Sequence, residues 1–188
     1  MMAGKLIQRG KVWYLRFTGA DGRRTMKRLS TDRRVAEELA RDIDREQDRL
    51  RAGWIDPRDL AYRDHEARPI REHLADYLRR LPAKGDCLKY TQDVGSRAGR
   101  ILDEAKIRHI SGLSLSRVQE AIQTIRERDG FNQGTANNYV RSIKGFSRWL
   151  WKDGRAREHH LAFLATSNPE VDRRRVRRAL TPEEAARV

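Results

Sequence analysis

Apolar and polar side chains alternate over Lys11–Phe17, with Trp13, Leu15 and Phe17 on one side of an extended chain and Tyr14 and Arg16 on the other. The aromatic content suits a strand. Arg9-Gly10 predicts a tight turn from a short strand at Lys5–Gln8. Gly19–Gly22, with its Asp21-Gly22 pair, predicts a second turn into a third strand over Arg23–Leu29. The period then becomes helical. Val35, Leu39, Ile43 and Leu50 recur on one stripe beside Ala36 and Ala40, with Ser30, Thr31 or Asp32 as N-cap and Gly53 as the stop. A stripe this narrow fits one helix lying across one face of a small sheet. Residues 55–69 hold Pro57, Pro69 and many charges without a sustained period, which predicts a linker.

From residue 70 the pattern is helical throughout. Ile70, Leu74, Tyr77, Leu78 and Leu81 define a first helix that Pro82 stops. A second runs from about Leu88 to Ala105, with Val94, Ala98, Ile101 and Leu102 inward. A third begins near Ser114 and ends at Gly130. A fourth begins near Thr135, read as its cap, carries Tyr139, Val140, Ile143, Phe146 and Leu150, and closes at Gly154. Leu161–Leu164 can add a last short helix. The expected class is α+β: a three-stranded antiparallel sheet with one helix (1–54), a linker (55–69), an all-α domain of four to five helices (70–165), and a basic connector (166–188). Thr181-Pro-Glu-Glu184 is a capping box that opens a new helix near the chain's end. A helix start with so little behind it suggests a domain boundary, with a further domain absent from this chain.

Charge changes the picture from architecture to partner. The 188 residues include 41 Lys and Arg against 27 Asp and Glu, a net charge of +14. The excess is +5 over residues 1–60, +7 over 61–165 and +2 over 166–188, so no single tail accounts for it. Nucleic acid is the expected polyanion, because Lys and Arg that neutralise phosphates release condensed counterions. No apolar face accompanies the arginine cluster, which argues against a membrane surface. Cys87 is the only cysteine, so an internal disulfide is excluded and a reducing, cytoplasmic setting is expected. No apolar run approaches a membrane span and no signal-peptide core opens the chain. His159 and His160, read as surface residues, cannot share one helix face, and no zinc spacing occurs. No cofactor, metal or small-molecule substrate is expected.

The candidate contacts lie on three features. On the sheet, Tyr14 and Arg16 oppose the inward aromatic residues; Arg24 and Arg28 join them if Leu29 points inward, whereas a bulge would exchange Arg28 for Lys27. A ribbon of this size fits a major groove. On the second helix the candidates are Lys89, Thr91, Gln92, Ser96 and Arg100. On the outer face of the fourth they are Asn137, Asn138, Arg141, Lys144 and Arg148, where Asn suits adenine edges and Arg suits guanine or phosphate. Gly95 and Gly99 inside the second helix each cost about 1 kcal/mol against Ala, which calls for close approach of either a neighbouring helix or a DNA backbone. In the connector, Arg173, Arg174, Arg175, Arg177 and Arg178 suit phosphates, which position rather than specify.

Three segments carry a resemblance: Gly10-Lys-Val-Trp-Tyr-Leu-Arg-Phe17 with Asp21-Gly-Arg and Leu29-Ser-Thr; Gly134–Leu150 with Lys152-Asp-Gly154; and Arg178-Ala-Leu-Thr-Pro-Glu-Glu184. In this order they resemble the N-terminal half of a tyrosine site-specific recombinase of the phage integrase type. The resemblance implies an arm-binding sheet, a SAM-like helical core-binding domain, and the lead-in to a catalytic domain. It implies double-stranded DNA as partner, self-association on DNA, and a bacterial or phage-encoded mobile element. The family cleaves DNA with a tyrosine, assisted by arginines, a lysine and histidines that all lie downstream of the Leu-Thr-x-x-Glu segment. None of Tyr14, Tyr62, Tyr77, Tyr90 or Tyr139 matches the nucleophile's place. No catalytic residue is therefore expected in this chain, although a full-length parent would be a recombinase. The alternatives are a stand-alone regulator or truncated integrase occupying recombination sites, and a basic RNA-binding structural protein.

Overall fold

The computed structural model describes residues 4–85 and 87–172. The chain divides into two compact units, with the boundary between Ala61 and Tyr62.

In the first unit β1 (Lys5–Arg9), β2 (Val12–Thr18) and β3 (Arg24–Arg28) form an antiparallel sheet in sequence order. Its turns need glycine: Gly10 has φ +60° and Gly22 has φ +77°. Helix α1 (Arg33–Arg51) starts at Asp32, whose Oδ1 accepts from the Val35 N–H at 3.0 Å. Of the three cap candidates, Asp32 serves. Leu15, with no exposed surface, packs on Ala40 and Ile43, flanked by Leu6, Phe17 and Leu29. The buried stripe of α1 is rotated from the one predicted. Ala36 and Ala40 are fully buried, while Val35 and Leu39 are 45% and 39% exposed. Small side chains let the helix lie close to the sheet, and the larger ones at neighbouring positions are left at the edge. The end of α1 is tied to the β2–β3 loop by Arg51, which donates to the Thr18 carbonyl, and by Gln47, which accepts from the Ala20 N–H.

The predicted linker contains a helix, α2 (Pro57–Ala67), none of whose residues is buried. Asp56 accepts from the Arg58 N–H at 2.8 Å, and Pro57 occupies the first helical position. An Asp-Pro pair is therefore a helix start here rather than a breaker. Without a buried face, the helix has no apolar periodicity to betray it.

The second unit is built on α3 (Ile70–Arg80), α4 (Leu88–Glu104), α5 (Leu115–Asp129) and α6 (Gln133–Lys152), with single 3-10 turns at Pro82–Lys84, Ile110–Gly112 and Pro169–Asp172. All four predicted helices are present. Their core centres on α6, where Ile143, Phe146 and Leu150 have no exposed surface and meet α3, α4 and α5. Tyr77 of α3 packs on Phe146 and Trp149 at centroid distances of 5.7 and 5.4 Å. Two local expectations change. Asn132, not Thr135, caps α6, its side chain accepting from the Thr135 N–H at 2.9 Å. Leu161–Leu164 is a turn rather than a helix, although Leu161 and Leu164 are buried. His159 and His160 are half-buried rather than surface residues. Among the described residues no helix is long and apolar enough to cross a membrane.

The glycines of α4 are explained by helix packing. A Cβ at Gly95 would lie 2.8 Å from Leu78 Cδ1, and one at Gly99 would lie 2.7 Å from an Arg71 guanidinium nitrogen. Arg71 also donates to the Gly99 carbonyl at 3.0 Å, so α3 lies against both positions.

The C-terminal end of α4 has an unusual residue. Lys106 has φ +52°, where the Ile107 N–H bonds to Leu102 and the Lys106 N–H to Asp103, a helix stop that ordinarily uses glycine. Arg117 donates to the Ala105 carbonyl at 2.7 Å, so the Lys106 side chain is not needed to neutralise the helix end. Lys106→Gly is expected to stabilise the helical unit by about 0.5–1 kcal/mol, the strain relieved less glycine's added chain entropy. A higher urea midpoint with an unchanged m-value would show it.

Asp76 on α3 gathers Arg68 and Arg155 at 2.6 Å each, and also Arg79. Arg155 stacks over Trp149 with 4.5 Å to the ring centroid, pinning the chain after α6 to α3. Arg155 also donates to Nδ1 of the fully buried His73, so His73 Nε2 carries the proton and donates to the His65 carbonyl. Hydrogen bonds from Arg155 and Arg68 hold the Asp76 carboxyl well below the usual carboxylate range. Burial pushes the His73 pKa down, with Arg155 and Arg68 adding to the effect against the opposing bond to His65. His65 and His159 are lowered too, first by burial. A histidine whose pKa is lowered by folding binds its proton more readily in the unfolded chain. The helical unit should therefore keep its stability above about pH 7 and lose it as pH falls through about 6.5. Asp76 adds a further loss below about pH 4. Thermal melts at pH 8 and pH 5.5 test this: the midpoint should be lower at pH 5.5, and the difference should shrink in His73→Gln.

Candidate nucleic-acid interface

Residues paired across antiparallel strands share a face. Tyr14 pairs with Arg28, Arg16 with Met26 and Thr18 with Arg24, whereas Leu15 pairs with Lys27. Tyr14, Arg16, Arg24 and Arg28 therefore stand on the face away from α1, and Lys27 is on the other. Arg16, Arg24 and Arg28 are exposed, and their side chains make no hydrogen bond or ion pair among the described residues. Tyr14 is half-buried. The register adds Lys5, paired with Arg16 and exposed. It is legible only once the first strand's pairing is known. With Arg9, which pairs with Val12 and is exposed, the outer sheet face holds five cations with no counter-charge among the described residues.

The helical unit sorts its candidates into displayed and committed residues. On α4, Lys89, Gln92 and Ser96 are exposed along one face. Thr91 is half-buried, its hydroxyl directed at the Cys87 carbonyl at 3.4 Å. Arg100 is not displayed. It donates to Asp129 at 2.5 Å and to the Tyr139 hydroxyl at 2.7 Å, joining α4 to α5 and α6. The Asp129 hydrogen bond raises the Arg100 pKa, and Arg100 in turn lowers that of Asp129.

On α6, Arg141 and Arg148 are exposed, and Asn138 is half-buried, accepting from Arg141 at 3.2 Å. The expected outer-face position of Asn137 does not hold. It is 2% exposed, and its amide is spent on the backbone of Ser167: Nδ2 donates to the carbonyl at 2.7 Å and Oδ1 accepts from the N–H at 3.0 Å. Lys144 is half-buried and donates to the Leu164 carbonyl at 2.7 Å. Helix α6 is covered by three helices and by the chain returning after it, so its outer face is narrower than a peripheral helix would show. That narrow face continues to Lys152, exposed one turn beyond Arg148, which the helical period could have found. Arg173, Arg174, Arg175, Arg177 and Arg178 lie outside the described residues, as does the capping box at Thr181.

No group of three or more His, Cys, Asp or Glu residues suited to a metal ion occurs among the described residues. Chemically, the displayed set consists of cations, amides and hydroxyls that can bind phosphates and base edges.

No protein-family model and no curated protein sequence matches the chain. Two solved structures do: a lambda integrase tetramer bound to a Holliday junction and a lambda integrase dimer bound to a COC′ core site. Each has a TM-score of 0.50 and 18% identity over 96% of this chain, and the match covers 51% and 49% of the respective integrase chains. The chain therefore spans about half the length of these structures. A three-stranded antiparallel sheet followed by six helices is an α+β arrangement, and this chain shares it with an integrase fragment.

Proposed function

We propose that this chain is the DNA-recognition half of an integrase-type tyrosine recombinase. In this reading it binds duplex DNA through the outer sheet face and through the exposed faces of α4 and α6. The observation that carries it is the set of Lys5, Arg9, Arg16, Arg24 and Arg28 on one sheet face, none paired with an acid among the described residues. A protein that used these cations for stability would pair them, as it pairs Arg68, Arg100 and Arg155. The fold likeness supports the reading, since both similar structures are DNA complexes. In the recombinase family strand cleavage belongs to a domain beyond this segment. Binding and site selection are therefore the roles assigned to this chain, in a DNA-containing compartment and with self-association on DNA.

The test is to titrate the full chain with duplex DNA over a range of salt. Arg16→Ala/Arg28→Ala and Arg141→Ala/Arg148→Ala are each expected to weaken binding and to reduce the salt slope by about two. Melting temperatures should stay unchanged, because these side chains have no part in the core. An unchanged slope for Arg16→Ala/Arg28→Ala would remove the sheet from the interface.

A further inference from the structure

The chain that returns after α6 is held in an unusual way. Leu164 is buried, but residues 165–170 are all exposed. No apolar anchor fixes their path. Three polar side chains do so instead. Lys144 bonds the Leu164 carbonyl at 2.7 Å, Asn137 brackets both backbone groups of Ser167, and Arg126 pairs with Asp172 at 3.0 Å while also donating to Gln133.

Asn137 is the central point. It occupies a fully enclosed position on the most buried helix, where an apolar side chain would serve the core without the cost of desolvating an amide. Its two hydrogen bonds to Ser167 reproduce those of a neighbouring strand, which sets register as well as attachment. The residue after Asp172 is Arg173, the first of five arginines in six positions.

We propose that Asn137 is a positioning residue: by fixing Ser167, it sets the point and direction from which the chain leads into the arginine-rich stretch 173–178. This rests on the DNA-binding reading above, extends it to the arginines of 173–178, and adds the assignment of an internal residue that acts through them. Fixing the exit lowers the ordering cost when the arginines meet phosphates. Asn137 itself touches no DNA in this account.

A double-mutant cycle in the full chain tests it. One arm is Asn137→Ala. The other replaces Arg173, Arg174, Arg175, Arg177 and Arg178 together by Ser. Asn137→Ala should weaken duplex binding about 3–10-fold when the arginines are present and change it by less than about twofold when they are absent. A purely structural role would give the same loss in both backgrounds, which would overturn the proposal. So would no loss in either, or a five-arginine variant that binds as tightly as the parent. The DNA reading fails separately, by the parent protein not binding duplex DNA at low salt.

If Asn137→Ala does not fold, Asp172→Asn carries the test from the surface. It adds one positive charge, so counterion release alone predicts tighter binding. Loss of the Arg126 contact predicts weaker binding, confined to the background that retains the arginines. Tighter binding would overturn the proposal.

Discussion

Asp76→Ala should lower the stability of the helical unit by about 2–4 kcal/mol, a large share of the margin of a domain this size. The substitution leaves Arg155, whose side chain is 16% exposed, facing the neutral His73 with only Asp153, 2.9 Å from its Nε, to balance it. It also removes the partner of Arg79 and one of the two carboxylates that Arg68 holds, leaving it Glu72. Removing one partner of a covered pair costs more than the pair contributes, because the remaining charge stays desolvated. The value falls below the full range for a deeply buried pair because Arg155 keeps Asp153, Arg68 keeps Glu72, and Arg68 and Arg79 reach solvent. Glu72→Ala, which removes only the exposed partner of Arg68, should scarcely move the midpoint. Urea unfolding of the two variants makes the comparison. Equal shifts would mean that the Asp76 cluster has no special place in the unit.

A second large effect is expected in binding. The candidate faces of the sheet, α4 and α6 display nine cations without an acidic partner among the described residues: Lys5, Arg9, Arg16, Arg24, Arg28, Lys89, Arg141, Arg148 and Lys152. If they meet phosphates, duplex affinity should fall by about 10³-fold or more between 50 and 200 mM salt. Arg100 and Lys144 are not among them, being engaged by Asp129 and by the Leu164 carbonyl. Arg100→Ala should therefore lower the melting temperature and leave the salt slope unchanged. A slope near one or two for the parent protein would show that the displayed cations do not act together on a polyanion.

The contrast between displayed and committed side chains marks what the sequence can reveal. Alternation in β2 set the face of Arg16, and Leu29 set that of Arg28, because strand parity is a local property. Helix positions 70–152 were equally legible from apolar periodicity, along with the stops at Gly130 and Gly154. Three things were not. The α1 stripe turned toward Ala36 and Ala40, since close packing favours small residues that a hydrophobicity pattern underweights. Helix α2 buries nothing, so no period announced it, and Asp56-Pro57 was its only signal. On α6, Asn137 and Asn138 are adjacent and chemically identical, yet one is enclosed because Ser167, 30 residues later, returns to meet it. Arg100 was misplaced for the same reason, its partner Asp129 lying 29 residues away. A polar residue's partner, unlike its face, is a tertiary fact.

The measurement that bears most directly on the central claim is competition between duplex DNA and duplex RNA for the full chain at fixed salt. The account predicts that DNA displaces a labelled DNA probe at much lower concentration than RNA of the same length. A ribbon or helix enters the wide major groove of B-form DNA but not the deep, narrow groove of the A-form. RNA competing equally well or better would contradict the account and leave a basic RNA-binding protein with an integrase-like fold.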